Sequence, residues 1–290
     1  MAHPLRTLLQ ILISVAAIAF VLHTVGLKEI GALLWKVRPG WLLAALVAFV
    51  LSKWVAAERL NRHFARRGLI LSPTLNLRLY LAGMFYNLFL PGGIGGDGFK
   101  LLWLNRRYPT GFRTLGGAML WDRLSGITVL VFISILGIWA LSSPGAQMTL
   151  LLPVLAALTF PAYYLAQRMI VRDLSGVFFP VTAISFLSQG LILLCVWLLI
   201  LSLGVAWADQ GAYLIIFLVA AIIANIPISL GGLGPREMVS LMGANRLELL
   251  PDTAVALSLL FYFLTLLVSF IGIFFAVNPE PADEAAEKKR

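Results

Sequence analysis

Two stretches decide how this chain folds: Pro91-Gly92-Gly93-Ile94-Gly95-Gly96-Asp97-Gly98 and Gly231-Gly232-Leu233-Gly234-Pro235-Arg236-Glu237. Each ends a run of apolar residues, 79–90 and 212–230, at a density of glycine and proline that no helix survives. Each is also preceded by an asparagine and a proline, Asn87 and Pro91 in one, Asn225 and Pro227 in the other. Gly92-Gly93-Ile94-Gly95 therefore reads as a copy of Gly231-Gly232-Leu233-Gly234. Helix breaks at matching places predict a chain built from two related halves.

Outward from these breaks, the composition names the solvent. The 290 residues are 60% hydrophobic and 12% charged, with a mean hydropathy of +0.94. Soluble domains are about a quarter charged, so this chain has too little polar surface to face water all round. Apolar runs at 8–25, 41–60, 115–141, 148–166, 178–203 and 253–277 approach or exceed the roughly 20 residues that cross a bilayer. The first is read as a retained helix, because no small-residue cleavage site and polar mature chain follow it. The expectation is an all-α polytopic membrane protein: six full spans, plus two broken or re-entrant segments at 79–90 and 212–230. Freed backbone groups at membrane depth are tolerated only where protein buries them or water reaches them.

The spans pair at a nearly constant offset: 8–25 with 148–166, 41–60 with 178–203, and 115–141 with 253–277. Three full spans per half is an odd number, so the second half enters from the opposite side. The expected domain is a single unit over 1–277, with inverted halves of about 1–145 and 146–277. Residues 278–290, short and rich in charge, Ala and Pro, read as a disordered tail. Secondary transporters share this plan, with broken helices at corresponding positions.

The net charge of +9 would suggest nucleic acid in a soluble protein, but here the bases read as loop charges. Arg59, Arg62, Arg66, Arg67 and Arg78 crowd one connection; Lys100, Arg106, Arg107 and Arg113 the next; Arg168 and Arg172 a third. Placing these inside puts both termini in the cytoplasm. Trp35, Trp41, Trp139 and Trp207 then fall at the outer interface. The blemish is the outer connection 26–40, which carries Lys28, Lys36 and Arg38 against Glu29. Lys53 and Glu58 are read as snorkelling residues near a helix end.

Gly93-Ile94-Gly95-Gly96-Asp97-Gly98 satisfies the glycine spacing of dinucleotide loops, but no strand precedes it, so the chemistry of that loop does not follow. Three histidines without i,i+4 pairing, one cysteine (Cys195) and no G-x-S-x-G elbow give no metal centre and no nucleophile. No cofactor is expected. Ionisable residues at membrane depth face a cavity or a partner. That rule singles out Asp97, Lys100, Asp122, Arg123, Arg236 and Glu237 as candidate substrate-binding residues. Asn87, Gly92, Gly93, Gly95, Gly96, Asn225, Gly231, Gly232 and Gly234 line the turns beside them, whose amides suit an anionic group. Two other roles stand beside binding: the glycines as close-packing contacts, and Asp122-Arg123 as an interfacial pair reaching headgroup water.

The ordered motifs Asn87…Pro91-Gly92-Gly93-Ile94-Gly95-Gly96-Asp97, Asp122-Arg123 and Pro227…Gly231-Gly232-Leu233-Gly234…Glu237 resemble the lysylphosphatidylglycerol synthase transmembrane family over nearly the whole chain. In its two-part members, the membrane module is taken to be a flippase for aminoacylated phosphatidylglycerol, followed by a soluble aminoacyl transferase domain. This chain resembles the membrane module alone. The resemblance implies movement of a lipid with a phosphate-bearing headgroup across a bacterial inner membrane. Two alternatives stay open: an intramembrane enzyme modifying a lipid or lipid-linked sugar, with Asp97 or Glu237 as general base, and a non-catalytic partner of a lipid-synthesis enzyme. Membrane lipids are the expected partners, and nucleic acid is not one.

Overall fold

The computed structural model describes residues 35–89, 95–141, 146–225 and 234–276, together with Lys28, Gly31 and Ala32. The expected span 8–25, both glycine turns at 91–94 and 226–233, and the tail 278–290 lie outside the described residues. Every element described is helical: α1 (Pro39–Arg66), α2 (Pro73–Phe89), α3 (Gly95–Arg107), α4 (Phe112–Leu141), α5 (Ala146–Ile170), a 3₁₀ turn (Arg172–Val177), α6 (Phe178–Ser202), α7 (Trp207–Ala224), α8 (Pro235–Arg246), α9 (Pro251–Ile271) and α10 (Ile273–Ala276). Pro39, Pro235 and Pro251 open α1, α8 and α9, where a missing N–H costs nothing. α1 stops at a turn through Gly68, whose φ of +80° suits glycine.

Six of these segments are long and apolar enough to cross a membrane: five are expected spans, and the sixth is an addition, since the expected span 8–25 lies outside the described residues. The 18-residue helix Trp207–Ala224 qualifies in full, although the sequence marked its apolar part as a broken segment. Its polar start hid it. Gln210 donates to the Val205 carbonyl and accepts from the Trp197 indole, so the helix begins at Trp207 at little cost. Similarly, α2 has 17 residues rather than the short run 79–90. Its buried Asn76 donates to the Ala57 carbonyl at 2.6 Å and so lies comfortably inside the protein. The first connection shrinks correspondingly: α1 runs on through Arg66, and Arg59 and Arg62 belong to the helix.

The element order recurs. Helices α1–α4 begin at 39, 73, 95 and 112, and α6–α9 begin at 178, 207, 235 and 251, each later by 134–140 residues. Contacts between the two series are reciprocal. α1 and its counterpart α6 run antiparallel: the Arg38 amide donates to Ser202, Ser188 to the Ser52 carbonyl, Arg59 to Ser185 and Arg66 to the Asp173 carbonyl. As one number rises the other falls. α2 packs on α9 while α4 packs on α7, the exchange a two-fold relation produces.

A core of Phe49, Val196, Leu199, Ile200, Phe217 and Leu264 joins α1, α6, α7 and α9. A second, of Leu60, Phe64, Leu75, Leu79, Leu104 and Leu115, closes the far end of α1 against α2, α3 and α4. The two ends of the bundle differ in character. Arg67 donates to Asp173 and to the Thr114 carbonyl at one end. At the other, exposed Trp41, Trp139 and Trp207 mark the start of α1, the end of α4 and the start of α7.

Close backbone approach depends on glycine at two crossings. A Cβ on Gly96 would run into the Gly83 carbonyl, and one on Gly272 into the Leu81 carbonyl. Neither neighbour can yield, because both are backbone inside α2. By contrast, a Cβ on Gly98 meets nothing within 4 Å. Gly96→Ala and Gly272→Ala should therefore sharply lower folded yield and melting temperature in detergent. Gly98→Ala should be neutral or stabilising by about 1 kcal/mol or less. Equal melting of all three would remove close packing as the reason for these glycines.

Candidate functional site

A cavity of about 380 Å³ is walled by α1–α4 on one side of the chain's order and by α6, α7 and α9 on the other. That is within the roughly 300–1,000 Å³ of small-molecule pockets. Asn87 near the end of α2 and Asn225 at the end of α7 both reach it. Among the described residues its charged groups are Lys53 and Arg59 of α1, Asp97 and Lys100 of α3, and Asp122 and Arg123 of α4, four cations against two carboxylates.

Asp122 and Arg123 are neighbours in sequence and so point apart on a helix. Asp122 turns to α1. Arg59 Nε donates to Oδ1 at 2.8 Å and Nη2 to Oδ2 at 3.2 Å, a two-point fork between side chains under 10% exposed. Nη1 donates further to Ser185 at 3.3 Å. Gly126, one turn after Asp122, makes room for the guanidinium, since a Cβ there would sit 2.8 Å from Nη1. Buried His63 stands behind this pair, its Nδ1 3.2 Å from the Arg59 carbonyl and 3.8 Å from Asp122 Oδ1.

Arg123 turns to α3 instead, pairing with Asp97 Oδ2. Lys100 takes the other oxygen, Oδ1, at 2.9 Å, from one turn along the same helix, and its ammonium lies over the Tyr80 ring. The cradle is held in place by Asn87, whose Oδ1 accepts the Gly96 amide at 2.7 Å and caps α3. Arg123 thus reaches the helix after the first glycine run, through Asp97, while Asp122 holds α1.

The second break is built differently. Glu237 accepts the Gly234 amide at 2.7 Å, where Gly234 has φ +94°. It also accepts from Arg236 at 3.2 Å and from Ser258 at 2.7 Å. Arg236 donates to the Ser258 hydroxyl and carbonyl, both at 2.8 Å, and lies over the rings of Phe261 and Tyr262. Both residues are at most 5% exposed. This network satisfies itself off the cavity wall.

Of the residues expected to bind substrate, Asn87, Asp97, Lys100, Asp122, Arg123 and Asn225 share the cavity wall. Gly95, Gly96, Gly234, Arg236 and Glu237 are not on it, and Gly96 acts as a packing contact. Gly92, Gly93, Gly231 and Gly232 lie outside the described residues. Sequence reasoning missed Lys53, Arg59, Tyr80, Gln189 and Tyr262, which do line the cavity. Lys53 and Arg59 carried the signal: two bases within a segment of spanning length put charge at membrane depth, where it faces a cavity or a partner. Lys53 is on the cavity wall rather than snorkelling to an interface, and Glu58 pairs outside with Arg62.

A family model described as the lysylphosphatidylglycerol synthase TM region matches residues 7–272. No curated protein matches the chain.

The Arg59–Asp122 fork ties α1 to α4 in the low-dielectric interior, where breaking one partner strands a charge. Asp122→Asn and Arg59→Gln should each destabilise the protein by about 3–5 kcal/mol. The double variant should lose less than the sum, a coupling readable as a double-mutant cycle of melting in detergent. Additive losses would mean the two residues do not act as a pair.

Proposed function

The chain belongs to the lysylphosphatidylglycerol synthase TM-region family, a multi-pass membrane family concerned with lipids, and from that premise we propose that it moves a lipid with a phosphate-bearing headgroup between leaflets. The observation that carries this reading is the charged cavity between the helices that flank the two glycine runs. Phosphate is costly to bring into hydrocarbon, and a wall bearing Lys53, Arg59, Lys100 and Arg123 offsets that cost. Acyl chains stay in the surrounding lipid while the headgroup passes between the halves.

The hairpin of α2 and α3 starts from the arginine-rich end, and that of α7 and α8 starts from the tryptophan end. Two hairpins reaching inward from opposite ends suit alternate opening around a fixed site. Asp97 is the natural latch, because it holds Lys100 on its own helix and Arg123 on α4. A phosphate competing for those cations would release α3 from α4. We read the arginine-rich end as cytoplasmic and the membrane as the bacterial inner membrane, with both termini inside. Translocation then follows a lipid or proton gradient, or equilibrates the leaflets.

Reconstitution tests this directly. Purified protein in liposomes with a headgroup-labelled phosphatidylglycerol should redistribute the label between leaflets without forming a new lipid species. Lys100→Gln and Arg123→Gln should each slow that redistribution at least tenfold while remaining folded. A new chemical product would favour an enzyme, and unchanged rates in both variants would detach the cavity from transport. Orientation has its own check: in cells, Ser175→Cys should react with an impermeant thiol reagent only from inside, and Asp209→Cys only from outside. The reverse pattern would invert the topology.

A further inference from the structure

His63 stands in the last turn of α1, fully buried, between the cavity and the arginine-rich end. Its Nδ1 faces two acceptors, the Arg59 carbonyl at 3.2 Å and Asp122 Oδ1 at 3.8 Å, so the hydrogen of the neutral ring belongs on Nδ1. Nε2 is left with the lone pair, buried and with no hydrogen-bond partner among the described residues. A buried polar atom without a partner is rare, and on histidine it is a place for a proton. The charged groups around the ring are Arg59 and Arg67 of α1 and Asp122 of α4. Tyr80 of α2 and Tyr163 of α5 stand near the Arg59–Asp122 pair. α6 brings the Ser185 hydroxyl to Arg59, and the 3₁₀ turn brings Asp173 to Arg67.

Charge decides what a proton on this ring does. With His63 neutral, Arg59 and Asp122 cancel. With a proton on Nε2, the three groups carry one net positive charge, and Arg59 shares its carboxylate with a second cation. Arg59 and Asp122 both line the cavity, so the surplus is felt there, at a depth where uncompensated charge is costly. An anion in the cavity removes that cost. We propose that His63 couples this site to protons: each anionic lipid phosphate entering the cavity brings one proton onto His63 Nε2. The proposal rests on the reading that lipid headgroups enter here, and it makes the proton gradient the driving force. A hydronium ion gives its proton to the Nε2 lone pair and leaves as water, while Nδ1 keeps its own hydrogen. The proton has one helical turn to cross, from the aqueous end where Arg67 pairs with half-exposed Asp173. The phosphate supplies the negative charge whatever else the headgroup carries. Because the linkage is reciprocal, the proton strengthens phosphate binding as much as phosphate strengthens proton binding.

Calorimetry counts the protons. The full chain in detergent is titrated with dioctanoyl phosphatidylglycerol near neutral pH, in buffers of different ionisation enthalpy. Wild-type protein should take up about one proton per lipid, and its affinity should rise about tenfold per unit fall in pH while the ring is neutral. In His63→Gln both effects should vanish. The wild-type ring gives a second readout by nuclear magnetic resonance, since the chain has only three histidines and His3→Gln with His23→Gln isolates its signal. Saturating lipid should shift that signal to the imidazolium form. Lipid binding without proton uptake overturns the proposal, as does uptake unchanged in a folded His63→Gln protein, a ring signal that lipid does not move, or no binding at all. Dimethyl phosphate, the same diester without acyl chains, binding as tightly as the lipid overturns a lipid as the source of the anion. Proton-linked binding with no redistribution in liposomes overturns translocation alone, and redistribution without proton uptake overturns the coupling alone.

Discussion

Charge at membrane depth must be neutralised where it stands, and much of this architecture follows from that constraint. Water is absent from the hydrocarbon, so each ionised side chain needs an opposite charge or donor within a few ångströms. Arg59 reaches Asp122, Asp97 gathers Lys100 and Arg123, and Arg236 folds back on Glu237 and Ser258. These pairings fix which helices touch. They hold α1 to α4, α3 to α4 and α8 to α9, and the apolar cores fill the space between.

The two halves share a plan and differ in what they do with it. Asp97 and Arg236 occupy corresponding places, each just inside the helix that follows a break. One faces a cavity and shares its carboxylate between two cations on different helices. The other is sealed among Glu237, Ser258 and two aromatic rings. A repeat of this kind places two equivalent shoulders against one gap, and side-chain chemistry then decides which shoulder is a working surface and which is a buttress. Among the described residues the charge on the cavity wall comes from α1, α3 and α4, while the later helices contribute Ser188, Gln189, Asn225 and Tyr262.

Much of this was legible from residues alone. Composition requires lipid as solvent, and the paired glycine runs fall between the described helices α2 and α3 and between α7 and α8. Helix bounds were less legible, for one recurring reason: polar residues satisfied across the fold look like loop in one dimension. Arg59 was assigned to a connection because Asp122 lies 63 residues away. Gln210 and Asn76 hid the starts of α7 and α2 in the same manner. Within the site, Asp97, Lys100 and Arg123 could be named from charge in an apolar setting. That Gly96 answers to Gly83 could not, since a backbone collision has no signature in either residue's neighbours.

Arg59 and Arg66 of α1, and Arg67 that caps it, share a further property. Arg59 lies against Gly126, Arg66 against Gly176 and Arg67 against Gly117, and their acceptors sit on α4 and on the turn before α6. A ribosome adding roughly 5–20 residues per second exposes Arg59 several seconds before Asp122 exists, and Arg66 longer still before Asp173. During that interval α1 cannot settle in its final place, and its basic half has to wait in water or among headgroups. The order of synthesis thus makes α1, which emerges well ahead of its partners, one of the later helices to be seated.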